Sequence, residues 1–134
     1  MKKFTFEATV DGLAKALATL EELLDGAGCP VAAKTKLMVA MDEVASNIVH
    51  YSGAPDFDVE IDFPENPDAV RVSFSDSGKA FDPLTEAPVA DMTAPVEDRQ
   101  VGGLGMFMVK KMMDNVSYVH ENGRNVLTIS KLRS

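Results

Sequence analysis

The chain has 134 residues, 46% of them hydrophobic, which fits one globular domain around a single core and excludes a disordered or fibrous chain. A net charge of −8 argues against a nucleic-acid backbone as partner and suits a soluble domain. The lone cysteine, Cys29, excludes an internal disulfide, agrees with a reducing cytoplasm, and reads as a packing residue between two helical patterns.

The opening segment "MKKFTFEATVDG" has neither an apolar run nor a small-residue cleavage site, so no signal peptide is expected. No stretch approaches the roughly 18 apolar residues of a membrane helix, and a cytoplasmic protein without membrane contact is expected. "KFTFEATV" alternates Phe4, Phe6 and Ala8 with polar neighbours, the period of a half-buried strand. Asp11 is expected to cap the helix "GLAKALATLEELLDGAG", with Leu13, Leu17, Leu20 and Leu24 at helical spacing. Pro30 opens a second helix, whose apolar face carries Leu37, Ala40, Met41, Val44 and Ile48 and which Gly53 ends.

"DFDVEIDF" (56–63) and "DAVRVSFSDS" (68–77) alternate cleanly and are joined by the turn signal "PENP", so they read as a hairpin. Residues 82–101 hold three prolines and little periodicity. Such a length of loop is a lid, a binding loop or a disordered segment. A glycine-rich turn, a helix to about Asn115 and a last hairpin around "NGR" follow. The order β-α-α-β-β-lid-α-β-β predicts an α+β fold: a two-layer α/β sandwich, with helices on one face of a mixed, mostly antiparallel sheet.

Three places carry polar groups suited to chemistry. Glu43 and Asn47 lie four apart on the second helix and so share a face, at the border of its buried side. Taken singly, that spacing reads as a solvated helix edge. With a cavity beside it, it sets a carboxylate base next to an amide oxygen, and magnesium takes oxygen ligands while keeping several waters. Asp76 ends a strand with Gly78 two residues on, which alone is compatible with an Asx turn. A buried carboxylate there can also accept from an exocyclic amine such as that of adenine, with Gly78 permitting close approach. Finally, Gly102, Gly103 and Gly105 open a helix. Glycine costs roughly 1 kcal/mol per helical position relative to alanine, yet it leaves the first N–H groups bare for an anion. There is no G-x-x-x-x-G-K-[ST], so this is not a Walker-type site.

E-x-x-x-N, then D-x-G, then a long lid, then G-G-x-G opening a helix occur in that order over residues 43–105. This set resembles the GHKL (Bergerat-fold) ATPase superfamily. The wording "DSGKAFDP…GGLGMFMVKKMMDNVSYVHENGRNVLTISKL" is similar to its single-domain anti-sigma-factor serine/threonine kinases. The resemblance implies one histidine-kinase-like ATPase domain over residues 1–134, with a lid at about 84–101. It implies ATP and Mg2+ as cofactors, and a sigma factor and a serine-bearing antagonist protein as partners. Members of that kind often form homodimers, although no residue here carries that feature.

Carried over position by position, Glu43 would be the general base and Asn47 the magnesium ligand. Asp76 would bind the adenine amine beside Gly78. Gly102, Gly103 and Gly105, with Leu104 between them, would cradle the phosphates. Arg99 would reach the γ-phosphate from the lid, although a solvated surface position suits it equally. Such parts suffice for phosphoryl transfer, which is mainly positioning and charge neutralisation. Two positions depart from the pattern. Ala80 replaces the second glycine of D-x-G-x-G, and Asn125 stands where the superfamily has a threonine that assists at the adenine. Two further readings belong to other classes: a non-catalytic ATP-binding partner-switch module, and a detached histidine-kinase-type ATPase domain. His50 and His120 share no metal-ligand spacing, and Met106, Met108, Met112 and Met113 read as core and groove filling.

Overall fold

The computed structural model describes residues 2–65, 68–80 and 103–133, with residues 103–105 as backbone only. The elements are β1 (Lys2–Glu7), α1 (Val10–Gly26), α2 (Val31–Asn47), β2 (Asp56–Asp62), β3 (Ala69–Asp76), α3 (Gly103–Met112), β4 (Asn115–Glu121) and β5 (Arg124–Leu132). A π-helical turn, Ile48–Ser52, continues α2 without a break. The strands form one five-stranded sheet in the order β1-β2-β3-β5-β4.

Every neighbouring pair of these strands is antiparallel, which corrects the expected mixed sheet. β3 and β4 run in the same direction on either side of the α3 crossover, but β5 inserts between them and pairs with both. The two-residue turn at Asn122–Gly123 makes this possible, since both residues take positive φ, 55° and 75°. A turn of that kind matches the twist of the strands it joins and returns β5 directly alongside β4.

Helix α1 starts two residues earlier than expected. Thr9, not Asp11, is the N-cap, its side chain accepting from Gly12 N at 3.0 Å, and Asp11 sits in the first turn where the helix dipole favours a carboxylate. The buried stripe of α1 is Gly12, Ala16, Leu20 and Leu24, with Leu13 and Leu17 packed at its edge. Helix α2 buries Leu37, Ala40, Met41 and Val44 as expected, while Ile48 in the π-turn is only partly buried. Gly53, at φ 76°, ends the turn. Met106, Val109 and Met113 anchor α3 and the residue just beyond it, whereas Phe107 and Met108 are exposed.

The helices cover one sheet face. Phe57, Val59 and Ile61 of β2, Val70, Val72 and Phe74 of β3, and Leu127 and Ile129 of β5 point into them. Each large apolar side chain buried in this way contributes about 1.5–3 kcal/mol. The other face is polar and self-paired: Thr5 donates to Asp58 at 2.6 Å, Arg124 donates to Asp58 at 3.0 Å, and Ser73 and Thr128 share a hydrogen bond of 2.9 Å. A two-layer α+β domain is therefore the observed architecture. The expected lid at 84–101, Arg99 and Gly102 lie outside the described residues.

Helix α1 can lie close to β1 only because Gly12 has no side chain. A Cβ there would stand 1.8 Å from the carbonyl oxygen of Glu7. Gly12→Ala should cost about 1–3 kcal/mol of stability, read as a lower urea midpoint with an unchanged slope. A midpoint equal to the wild type's would contradict the packing described.

Candidate functional site

A cleft open to solvent lies between the end of α2, the π-turn and the ends of β3 and β5. Val44, Ile48, Phe74 and Leu127 supply apolar walls, and Asn47, Ser52, Asp76, Tyr118 and Asn125 the polar groups. A mostly apolar cleft with a few convergent polar groups is the usual form of a small-molecule site.

The polar groups of the sheet arrive there by simple alternation. On β3 the inward positions Val70, Val72 and Phe74 are followed by Asp76, and on β5 Ile129 and Leu127 are preceded by Asn125. The β3–β5 register sets Asp76 directly opposite Asn125. Both are buried, Asp76 to 3% exposure, and Asn125 Nδ2 donates to Asp76 Oδ1 at 3.2 Å. The same Oδ1 accepts from Gly78 N at 2.8 Å. The Asx turn and the cleft-lining carboxylate are thus one arrangement rather than alternatives. The bare Cα of Gly78 is needed against the π-turn, because a Cβ there would lie 2.2 Å from the Ser52 carbonyl oxygen.

Asn47 lies deeper than a border position. It is 6% exposed, and neither its side-chain nitrogen nor its oxygen has a hydrogen-bond partner among the described residues. A buried amide left unpaired costs about 1–3 kcal/mol, so this position is kept against the interest of the fold. Its oxygen is of the hard type that magnesium takes, and the amide lines the cleft. No group of three or more His, Cys, Asp or Glu suited to a metal occurs among the described residues. A cation here would need oxygens from its own ligand and from water. Glu43 stands one helical turn before Asn47, half-buried and not part of the cleft lining. Burial raises its carboxyl pKa, and the neighbouring Asp42 charge adds to the rise.

Gly103, Leu104 and Gly105 form the first turn of α3, where backbone N–H groups lack partners within the helix. His50 is exposed with Nδ1 2.7 Å from the Ser46 carbonyl oxygen, and His120 is exposed on β4, so neither joins the cleft. Cys29 is buried, and desolvation raises its thiol pKa, in keeping with a packing role. Ser52 and Tyr118 line the cleft without having been found from the sequence. Nothing in the local pattern announced the π-turn that brings in Ser52. Tyr118 had a weak signal, an aromatic residue on the strand that the Asn122–Gly123 turn returns beside β5.

The sequence model of the histidine kinase-like ATPase domain matches residues 6–131. The chain belongs to that family. Among curated proteins it is similar to serine-protein kinase RsbW of Listeria monocytogenes (strain EGD-e), 28% identical over 114 residues, covering 81% of this chain and 73% of that protein. The Bacillus cereus (strain AH187) protein of the same name is 27% identical over 95 residues, covering 68% of this chain and 59% of the relative. Among solved structures, that of the RsbU and RsbW domains of Rv1364c from Mycobacterium tuberculosis superposes with a TM-score of 0.69 at 18% identity. The match takes in 98% of this chain and 32% of that one. A chain in the SiaB–SiaC complex from Pseudomonas aeruginosa superposes with a TM-score of 0.62 at 14% identity, covering 98% and 89%. These superpositions establish a shared fold.

The unpaired amide makes a thermodynamic prediction that needs no ligand. Asn47→Leu should raise the stability of the free protein by about 1–2 kcal/mol, seen as a higher urea midpoint, while any magnesium-dependent binding is lost. A less stable variant would mean that the amide is satisfied in the free protein.

Proposed function

We propose that this protein is an ATP- and magnesium-dependent serine/threonine protein kinase that also works as a partner switch. It phosphorylates a serine on an antagonist protein and binds a sigma factor in the cytoplasm. The observation that carries the reading is the meeting, in one cleft, of the Asp76–Gly78 turn with the unpaired amide of Asn47. Membership of the histidine kinase-like ATPase family and relatives named as serine-protein kinases support it.

In this reading the adenine amine donates to Asp76. The α3 N-terminus, with Gly102, Gly103, Leu104 and Gly105, receives the phosphates, and Arg99 approaches them from a lid over 84–101. Asn47 offers its amide oxygen to magnesium, which when bound neutralises phosphate charge. Glu43 accepts the proton of the serine hydroxyl as its oxygen bonds to the γ-phosphorus and the bond to ADP breaks. A non-catalytic ATP-binding partner switch is the second reading, and the position of Glu43 outside the cleft lining favours it.

Calorimetry should find ATP or ADP binding with magnesium, and Asp76→Asn should weaken it about 10- to 150-fold through loss of a charged acceptor. No nucleotide binding by the wild type would overturn the whole reading.

Glu43→Ala should reduce labelling of the serine substrate from radioactive ATP by about 10²- to 10⁴-fold while nucleotide affinity stays near that of the wild type. If neither protein labels a serine and both capture the partner alike, the non-catalytic reading is the right one. The raised Glu43 pKa fixes two further signs. The rate should climb as pH passes through a value above the ordinary glutamate range, because the base must be ionised. Glu43 contributes its stability below the ordinary value and loses it as pH rises through the raised one, so Glu43→Gln should flatten that part of the stability profile.

A further inference from the structure

We propose that Tyr118 is a positioning residue for the base end of the cleft, acting on Asp76 through the side-chain amide of Asn125. The inference rests on the nucleotide reading and names what holds its adenine-recognising carboxylate. Asn125 Nδ2 faces three acceptors: Asp76 Oδ1 at 3.2 Å, the Lys79 carbonyl oxygen at 2.8 Å and the Gly78 carbonyl oxygen at 3.4 Å. Reversing the amide would set its oxygen against all three, so one orientation is chemically allowed. In that orientation Oδ1 receives the Tyr118 hydroxyl, which donates to it.

The consequence concerns who reads the ligand. The Asn125 nitrogen is committed to protein oxygens, so Asn125 does not bind the base itself, as its place in the family pattern had implied. It ties the end of β3 to the 78–79 turn. Asp76 Oδ1 is likewise engaged, by Gly78 N and Asn125 Nδ2, while Oδ2 has no partner among the described residues. The carboxylate is therefore held by one oxygen and offers the other. Removing the Tyr118 hydroxyl takes a donor from the Asn125 oxygen, weakens the hold on the amide, and so loosens Asp76, the group that would meet the base's amine.

The test compares ATP with purine riboside 5′-triphosphate, which lacks the 6-amino group, by calorimetry with magnesium on the full chain. Wild type should prefer ATP by about 10- to 150-fold. Tyr118→Phe should weaken ATP by about 2- to 10-fold and leave the analogue unchanged, shrinking the preference by the same factor. In an Asn125→Ala background, Tyr118→Phe should change the preference no further. Asn125→Ser serves the same cycle if alanine costs the fold. Equal weakening of both nucleotides by Tyr118→Phe, or of neither, overturns the relay, as does an undiminished effect in the Asn125 background. A wild type that binds neither nucleotide overturns the nucleotide reading itself, and the relay with it. One that binds both alike removes Asp76 as the amine acceptor.

Discussion

The hydrogen bond between Asp76 and Asn125 sits where the inward stripes of β3 and β5 stop being apolar. Val70, Val72 and Phe74 on one strand and Ile129 and Leu127 on the other are core, and the next inward position on each is polar. A carboxylate at that depth is costly unless it is hydrogen-bonded, which Gly78 N and Asn125 Nδ2 accomplish. The bond thereby lets a charge-bearing group close the core and open the cleft at the same place. It also holds the 78–79 turn, whose carbonyls accept from the same amide.

The other wall of the cleft is built around a departure from regular helix. Helix α2 passes into the π-turn Ile48–Ser52, and single π-turns inside helices frequently mark functional sites. Here the turn brings Ser52 against Gly78 so closely that no side chain fits between them. Asn47, the last residue before the turn, keeps a buried amide without a partner among the described residues. On the sheet side of the cleft the fold pairs Asn125 and one oxygen of Asp76, and on the helix side it leaves the Asn47 amide without a partner among the described residues.

The surfaces away from the cleft divide simply. The sheet face opposite the helices carries a network of exposed and half-buried charges, with Arg124, Lys3 and Thr5 all on Asp58. Such exposed pairs add little stability each, and their main effect is to keep an edge-bearing sheet soluble. Helix α3 presents Phe107, 53% exposed, with the Lys111 ammonium 4.9 Å from its ring centre. The apolar weight of the helix falls instead on Met106 and Val109.

Period and punctuation in the sequence determined the element types, because the apolar alternation of Phe57, Val59 and Ile61 suits a strand, and the spacing of Leu20 and Leu24 a helix, with no need of tertiary context. The order of the motifs likewise determined the family and drew Asp76, Asn47 and Asn125 to attention. Counting alternation along β5 was enough to put Asn125 opposite the site, since side chains in a strand repeat every two residues. Three things only the tertiary structure decided. Insertion of β5 between β3 and β4 made every pairing antiparallel, and strand order depends on long-range contacts that no local pattern encodes. The burial of Asn47, which its spacing placed at a helix edge, and the close seat of the π-turn's Ser52 against Gly78 depend on how α2 meets the sheet. Tyr118 joined Asn125 across the sheet through a hydrogen bond between residues seven apart, which follows from strand twist and side-chain reach rather than from either residue's type.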